Sequence, residues 1–161
     1  MVSSGKEWQK ASLFHPALMF IGEFHHTLDE KGRMSVPIKF RAALAAGAVV
    51  TRGLDRSLFL YPKSEWEKLA EKLAALPLGQ ADTRAFARLM LAGAMEVEVD
   101  KSGRVLIPEY LRTYAGLRKD TIVAGLYNRM EIWDEATWSA YASKTEEQGN
   151  EIAERLSGLG V

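Results

Sequence analysis

A nine-residue phrase occurs twice in this sequence, as DEKGRMSVP at 29–37 and as DKSGRVLIP at 100–108. The aspartate, glycine, arginine and proline are identical in both copies, and the match continues at an offset of 71 and then 72 residues. Further identical pairs are Arg41/Arg112, Gly53/Gly125, Leu54/Leu126 and Trp66/Trp138. A repeat of this extent indicates a duplicated structural unit, so we predict two homologous units, each about half of the chain.

Each copy of the phrase stands between β-prone residues. FHHTL and MEVEV precede the two copies, and MSV and VLI follow the DxxGR segments, so each segment is predicted to be the turn of a β-hairpin. Glycine supplies the positive φ that such a turn needs, and aspartate accepts hydrogen bonds from amides within the turn. Pro37 and Pro108 suit the first position of a short helix, where a missing N–H costs nothing.

The rest of each unit follows one pattern. Further strand pairs are predicted at 48–53 with 57–62 and at 121–126 with 130–134. In the first unit Ser64 and Glu67 predict a capping box at the start of the next helix. Each unit is therefore predicted to run strand, turn, strand, short helix, strand, strand, helix, which is an α+β fold with a mainly β core and flanking helices.

The repeat also suggests where the units begin and end. We place the first unit at 19–94 and the second at 95–161, with helical runs at 81–92 and 135–156 as extensions. Residues 1–18 have no counterpart in the repeat and no clear periodicity. We expect them to be a flexible N-terminal extension, although a start codon assigned too early would look the same.

The net charge argues in two directions. Twenty-one basic and 21 acidic residues give a formal charge of zero, which taken alone argues against a nucleic-acid-binding protein. The charge is unevenly distributed, however. Segments 29–56 and 100–129 each contain six basic and three acidic residues, a local net charge of +3, so the rest of the chain carries −6.

Two absences bear on the compartment and the class of protein. The chain has no cysteine, which fits a reducing cytoplasm and provides neither disulfides nor a thiolate zinc site. Its most apolar N-terminal window, 13–24, is interrupted by polar residues, proline and glycine, so it is too short for a membrane span. We therefore expect a cytoplasmic protein without a membrane partner.

The DxxGR segments allow two interpretations. In the first they are only turns, with the arginine pairing locally with the aspartate. In the second the arginines serve an outside partner, since a turn requires neither an arginine after the glycine in both copies nor a second arginine beyond the proline. Basic hairpin loops suit DNA, because arginine binds phosphate oxygens and guanine edges in a bidentate way.

Metal, cofactor and enzyme interpretations are weaker. His15, His25 and His26, with Glu23 nearby, lack the spacing of a metal site, and adjacent residues of a strand point to opposite faces. The sequence contains no nucleophile-elbow or phosphate-loop motif, so we expect neither an enzyme nor a cofactor or small-molecule substrate. The aromatic residues are interpreted as structural: Trp66, Trp133, Trp138 and Tyr141.

Together, DEKGR and DKSGR, their flanking phrases and the segment GLYNRMEIWDEATW resemble the MraZ family of bacterial transcription regulators, from about Met19 to the helix at Trp138. The resemblance implies tandem AbrB-like units of the swapped-hairpin type with internal pseudo-twofold symmetry. It also implies a closed ring of subunits that is nucleoid-associated. Such rings bind direct repeats in double-stranded DNA upstream of the division and cell-wall gene cluster, commonly including the regulator's own gene.

The family pattern assigns residues as well. Its DNA-contacting arginine corresponds to Arg33 and to Arg104, and its basic loop position corresponds to Lys31. The second copy has Ser102 at that position, and Lys101, one place earlier, is the candidate that compensates for it. Four further residues are expected to hold the loops in shape: Asp29, Gly32, Asp100 and Gly103.

Two other functions remain open at this point. One is a ring-forming protein-interaction module whose basic hairpins bind an acidic partner protein. The other is an antitoxin-like AbrB relative, whose hairpins bind DNA and whose C-terminal tail binds a toxin. Salt-dependent, sequence-selective DNA binding would distinguish a transcription regulator from the protein-interaction module. A toxin protein that co-purifies with the chain would instead identify the antitoxin-like relative.

Overall fold

The computed structural model describes residues 19–161, so the predicted extension 1–18 lies outside the described residues. Within this range eight strands form. Their bounds are β1 Phe20–Thr27, β2 Arg33–Ser35, β3 Ala48–Arg52, β4 Leu58–Pro62, β5 Met95–Val97, β6 Arg104–Leu106, β7 Asp120–Tyr127 and β8 Met130–Asp134. The strands predicted around both phrases and in both second pairs are all present.

Helices follow the strands in both units. Their bounds are α1 Ile38–Arg41, α2 Lys63–Ala74, α3 Ala81–Ala87, α4 Glu109–Tyr114, α5 Glu135–Glu147 and α6 Gly149–Arg155. A 3-10 turn at Ala42–Leu44 continues α1, a π-helical turn at Arg88–Ala92 continues α3, and a 3-10 turn at Ser157–Leu159 follows α6. The helical runs predicted at 81–92 and 135–156 are thus confirmed. No helix among residues 19–161 combines the length and apolarity needed to cross a bilayer.

The strands form a six-stranded antiparallel sheet and a separate two-stranded ribbon. The order in the sheet is β1-β7-β8-β4-β3-β5, and the ribbon consists of β2 and β6. The repeat makes β1 equivalent to β5, β2 to β6, β3 to β7 and β4 to β8. Exchanging each strand for its equivalent reverses the order in the sheet, so the sheet reads the same from either edge. The predicted α+β fold with internal pseudo-twofold symmetry is confirmed.

The arms of each hairpin pair mainly with the other unit. β1 pairs along its whole length with β7, β5 pairs with β3, and β2 pairs with β6. Within the first unit β1 and β2 meet at a single bridge, between Leu28 and Met34. The local hairpin prediction therefore holds only for the turn, because a short isolated hairpin buries too little apolar surface to be stable. The swapped-hairpin arrangement agrees with the family resemblance.

The pseudo-twofold axis passes through the centre of the ribbon. Met34 lies opposite Val105, which is its own equivalent in the repeat. In the sheet, Leu58 lies opposite Ile132 and Leu60 lies opposite Met130, so equivalent residues again pair crosswise. The two units therefore meet as the two chains of a symmetric dimer would.

The core lies between the ribbon and one face of the sheet. Alternate residues of the sheet strands face the ribbon, as the two-residue period of a strand requires. The buried members of this core include Phe20, Met34, Val36, Val50, Leu60, Val105, Ile107, Val123 and Ile132. A smaller cluster of Phe59, Tyr61, Leu73 and Met90 lies under α2 and the turn after α3. Apolar residues of the ribbon and of the sheet thus belong to one buried core.

Two predictions about helix starts are wrong. The capping box fails because α2 begins at Lys63 with Pro62 as its N-cap, so Ser64 lies inside the first turn. β4 ends at Pro62 and leads directly into the helix, which leaves no loop for a serine cap. Pro37 and Pro108 are N-cap residues with extended ψ angles of 133° and 149°, one position earlier than predicted.

Candidate nucleic-acid interface

The β2–β6 ribbon has an inner and an outer face. Met34 and Val105 are fully buried on the inner face. Their neighbours on both strands point the other way and are partly or largely exposed. The outward side chains are those of Arg33, Ser35, Arg104 and Leu106. The two arginines that the sequence singled out therefore lie on one face of one ribbon, although they are 71 residues apart in the chain.

The first DxxGR loop is organised by Asp29. Its Oδ1 accepts hydrogen bonds from the backbone N–H groups of Lys31 and Arg33, both at 2.9 Å. Its Oδ2 accepts a hydrogen bond from the Arg33 Nε at 2.7 Å. Gly32 has φ +80° and donates its N–H to the Asp29 carbonyl at 3.0 Å. The local Asp–Arg pair of the turn interpretation is therefore present.

The second loop has the same backbone geometry, but its arginine is not hydrogen-bonded to the aspartate through Nε. Asp100 Oδ1 accepts hydrogen bonds from the N–H groups of Ser102 and Arg104 at 2.8 and 2.9 Å, and Gly103 has φ +79°. The Arg104 Nε lies 3.3 Å from Asp100 Oδ2, in an alignment unsuitable for a hydrogen bond. Its Nη1 instead lies 3.5 Å from Oδ2 of Asp29. The Asp29 carboxylate thus contacts both arginines.

These contacts favour the charged form of both carboxyl groups. The hydrogen bond from the Arg33 N–H, helped by the Arg33 side chain and the Lys31 N–H, lowers the pKa of Asp29. The hydrogen bonds from the N–H groups of Arg104 and Ser102, together with the Arg104 charge, lower the pKa of Asp100. Partial desolvation opposes the shift in both cases but is outweighed. Both loops are therefore held by ionised aspartates at neutral pH.

Each loop is also bonded to the other unit. The Val36 N–H donates a hydrogen bond to the carbonyl of Gly103, and the Ile107 N–H donates one to the carbonyl of Gly32, both at 2.9 Å. These bonds extend the ribbon at both ends and join each strand to the loop that precedes its partner. As a result neither loop is fixed by its own unit alone.

The second repeated arginine contacts the opposite loop, and the sequence did not reveal this role. An added Cβ on Gly103 would overlap the guanidinium of Arg41, and one on Gly32 would overlap that of Arg112. The Arg112 Nη1 also donates a hydrogen bond to the Lys31 carbonyl at 3.4 Å. The identity of these arginines in both copies was the available signal. The loop that each arginine contacts could be recognised only from the structure, in which the strands of the two units pair crosswise.

The lysines of the two loops are exposed but not equivalent. Lys31 is the third residue of the first loop, where the second loop has Ser102. Lys101 is the second residue of its loop, where the first loop has Glu30. All four side chains face solvent, and Lys31 and Lys101 each belong to a loop that leads into the strand of a ribbon arginine. The first DxxGR segment has no net charge, whereas the second has +1.

The histidines do not form a metal site in the described part of the chain. Among residues 19–161 no three His, Asp or Glu side chains converge as metal ligands, and His15 lies outside this range. His25 faces Glu135, with Nδ1 3.7 Å from Oε1. Partial burial, followed by the charge of Arg41, lowers the pKa of His26. His25 thus has a carboxylate as its neighbour, and His26 is partly buried close to a positive charge.

The aromatic residues are largely committed to packing. Trp133 is buried and lies edge-on to Trp138, with ring centroids 5.3 Å apart, and it also contacts Tyr141. Trp66 packs on Tyr61, with a centroid distance of 6.0 Å. Contacts of this kind belong to a core rather than to a platform on which bases stack. The ribbon is therefore the candidate nucleic-acid interface.

Comparison with known proteins agrees with this description. A family model described as "MraZ protein, putative antitoxin-like" matches the chain twice, at residues 19–89 and 90–159. The chain is 49% identical over 143 residues to a protein of Natranaerobius thermophilus named "Transcriptional regulator MraZ", a match that covers 89% of this chain and 100% of the relative.

Two further relatives have the same name and the same coverage. The protein of Acetivibrio thermocellus is 47% identical, and that of Desulfitobacterium hafniense is 48% identical, each over 143 residues. In both cases the match spans 89% of this chain and 100% of the relative. With two family matches in tandem and full-length relatives near half identity, the chain belongs to the MraZ family.

Proposed function

We propose that this protein is a transcription regulator that binds double-stranded DNA through the outer face of the β2–β6 ribbon. Arg33 and Arg104 contact base edges or phosphates, and Lys31 and Lys101 contact phosphates. Asp29 and Asp100 hold the loops in the bound shape. The names of its relatives support the regulatory role, and the residues of the ribbon support the mode of binding.

The observation that carries this proposal is the position of the two repeated arginines. Arg33 and Arg104 project from one side of a two-stranded ribbon, and about a third of each side chain is exposed. The major groove of B-DNA admits a two-stranded ribbon, and arginine binds guanine O6 and N7 in a bidentate way. The Asp29 carboxylate contacts both guanidinium groups and holds them in place before DNA arrives, which lowers the entropic cost of binding.

The regulator acts as a closed ring of identical subunits. A local net charge of +3 per unit is modest, so one ribbon alone binds DNA weakly. A ring presents several ribbons to one duplex, and the linked binding events raise the overall affinity. Its sites are direct repeats upstream of the division and cell-wall gene cluster, including its own gene. The protein works in the cytoplasm at the nucleoid, with no catalysis and no small-molecule substrate.

The test is a titration of labelled DNA followed by fluorescence anisotropy. A duplex from the region upstream of the protein's own gene is compared with a shuffled duplex at two salt concentrations. The wild type is expected to bind the upstream duplex selectively, and Arg33→Ala/Arg104→Ala to lose at least tenfold in affinity, because each bidentate contact contributes about 1–3 kcal/mol. Affinity should fall steeply as salt rises.

The matched control is Arg88→Ala/Arg155→Ala, which removes two exposed arginines outside the ribbon. Its affinity should stay within about twofold of the wild type. Oligomer size, measured by light scattering, must be unchanged in both double variants. Equal losses in the two variants, or equal binding of the upstream and shuffled duplexes, would reject the ribbon as a sequence-reading element and favour an acidic protein partner.

A further inference from the structure

The outer face of the ribbon departs from the pseudo-twofold symmetry at one pair of positions. Arg33 lies opposite Leu106, and Ser35 lies opposite Arg104. The two arginines are equivalents, but Ser35 and Leu106 are also equivalents and differ in size and polarity. Each arginine therefore has a different neighbour across the ribbon. The first is beside a large apolar side chain, and the second is beside a small hydroxyl.

Leu106 is not required by the core. Its side chain is on the outer face and 53% exposed, while Val105 and Ile107 on either side are fully buried. The equivalent position holds Ser35, so the fold accepts a small polar residue there. An exposed leucine alone would need no explanation. Leu106, however, lies directly opposite Arg33 on the neighbouring strand, on the surface proposed to bind DNA.

We propose that Leu106 contacts the methyl group of a thymine next to the base pair bound by Arg33, and thereby gives the protein one preferred orientation on its site. This inference rests on the proposed function. The C5-methyl of thymine is the apolar group that base pairs present in the major groove. Ser35, at the mirror position, can only hydrogen-bond a base or a phosphate and has no preference for the methyl group.

The loops add to the difference between the two halves of the ribbon. Glu30 and Lys101 are equivalents of opposite charge, and Lys31 has the uncharged equivalent Ser102. The phosphates beside the two loops therefore meet different charges. Phosphate contacts set position and carry no base information, whereas a methyl contact does. A pseudo-symmetric ribbon can thus read an asymmetric element, and Leu106 is the residue that makes the base contacts unequal.

The experiment selects bound duplexes from a random pool with the full-length protein and then examines single thymines. The wild type is expected to enrich an element with a required thymine on one side of its centre. Replacing that thymine with deoxyuridine removes only the methyl group. Affinity should fall about fourfold, since burying one such group contributes about 0.8 kcal/mol. Each thymine of the element is replaced in turn, so its position need not be known beforehand.

Two variants separate Leu106 from the rest of the ribbon. Leu106→Ser makes the outer face symmetric, so the same deoxyuridine replacement should have no effect and the enriched element should lose the thymine. Ser35→Leu places a leucine at both equivalent positions of the outer face, so a second required thymine should appear at the mirror position of the element. Both changes are at exposed or half-exposed sites, and circular dichroism and oligomer size verify folding.

The outcomes distinguish this inference from the proposed function. If the wild type enriches no element, both are overturned. If it enriches an element but Leu106→Ser keeps the same thymine and the same fourfold sensitivity to deoxyuridine, only the role of Leu106 is overturned. A loss of affinity in Leu106→Ser far greater than about fourfold for each thymine that is sensitive to deoxyuridine, with intact folding, also contradicts it, because the variant removes only those methyl contacts from the ribbons of the ring.

Discussion

The guanidinium of Arg41 covers the α-carbon of Gly103, which belongs to the opposite unit. The Arg41 Nε also donates a hydrogen bond to the Val36 carbonyl at 2.9 Å, so the side chain is tied to its own unit while it closes the other loop. Arg112 covers Gly32 in the same way. Each DxxGR glycine therefore meets two requirements, a positive φ and the lack of a Cβ beneath an arginine.

This relationship predicts the effect of adding one methyl group. Gly103→Ala should lower the free energy of unfolding by about 1–3 kcal/mol, because alanine is strained at a positive φ. The overlap of the new methyl group with Arg41 should lower it further. Gly116→Ala is the matched control, because Gly116 has φ +60° and open space around it. It should incur only the backbone cost. Urea denaturation of both variants measures the difference.

A double-mutant cycle isolates the overlap. In the Arg41→Ala background the guanidinium is absent, so Gly103→Ala should cost no more than Gly116→Ala does. If the cost of Gly103→Ala is the same with and without Arg41, the arginine moves aside freely and the loop glycine is needed for its backbone angle alone.

The two aspartates should not be equivalent. Asp29 accepts two backbone hydrogen bonds and contacts both arginines, whereas Asp100 binds its own loop and lacks an aligned bond to the Arg104 Nε. Asp29→Ala should therefore weaken DNA binding more than Asp100→Ala, since it releases both guanidinium groups. Anisotropy titrations with the two variants test this order. Equal losses, or a folded Asp29→Ala protein with unchanged affinity, would contradict the role of Asp29.

The loop aspartates also predict a dependence of stability on pH. Their pKa values in the folded protein are lowered from the ordinary value of 3.8, so the folded state binds fewer protons than the unfolded state. Their contribution to stability is complete above pH 3.8 and is lost as pH falls through the lowered pKa values.

Replacement by a group that does not titrate isolates this effect. Between pH 5 and pH 3 the wild type should lose stability more steeply than Asp29→Asn/Asp100→Asn. That variant keeps one acceptor oxygen on each side chain for the backbone N–H groups of the loop, and it replaces the other oxygen with an amide NH2 that does not titrate. Subtracting the two curves of stability against pH removes the contributions of other titrating groups. One of these is His26, whose pKa is also lowered. Parallel curves in urea denaturation would mean that the carboxylates add nothing to folding through their charge.

Much of this fold could be predicted from one repeat. The offset between the two phrases implies equivalent strands, and the six-stranded sheet is symmetric because those strands pair around one axis. Local pattern could not reveal that β2 pairs with β6, since the apolar alternation of a strand is the same whichever partner it has. The roles of Arg41 and Arg112 and the contact between Arg104 and Asp29 depend on that pairing, so they could not be predicted either.

Local signals failed where tertiary structure overrode them. The motif at Ser64 and Glu67 is a capping box in sequence, yet Pro62 occupies the N-cap because β4 runs straight into α2. The DxxGR turn itself was predicted well, because its hydrogen bonds join residues within four positions of each other. Contacts within the DxxGR turns were thus predictable, whereas the helix start at Pro62 and the contacts across the pseudo-twofold axis were not.

The last prediction concerns salt. If Lys31 contacts a phosphate, Lys31→Ala should lower the slope of the logarithm of affinity against the logarithm of salt concentration by about 0.9 for each contact removed. Binding should weaken by the same factor for the upstream and shuffled duplexes, because phosphates carry no sequence information. Ser102→Ala, at the equivalent position of the second loop, is the control and should leave the slope unchanged. A lysine that altered selectivity but not the slope would instead be reading bases.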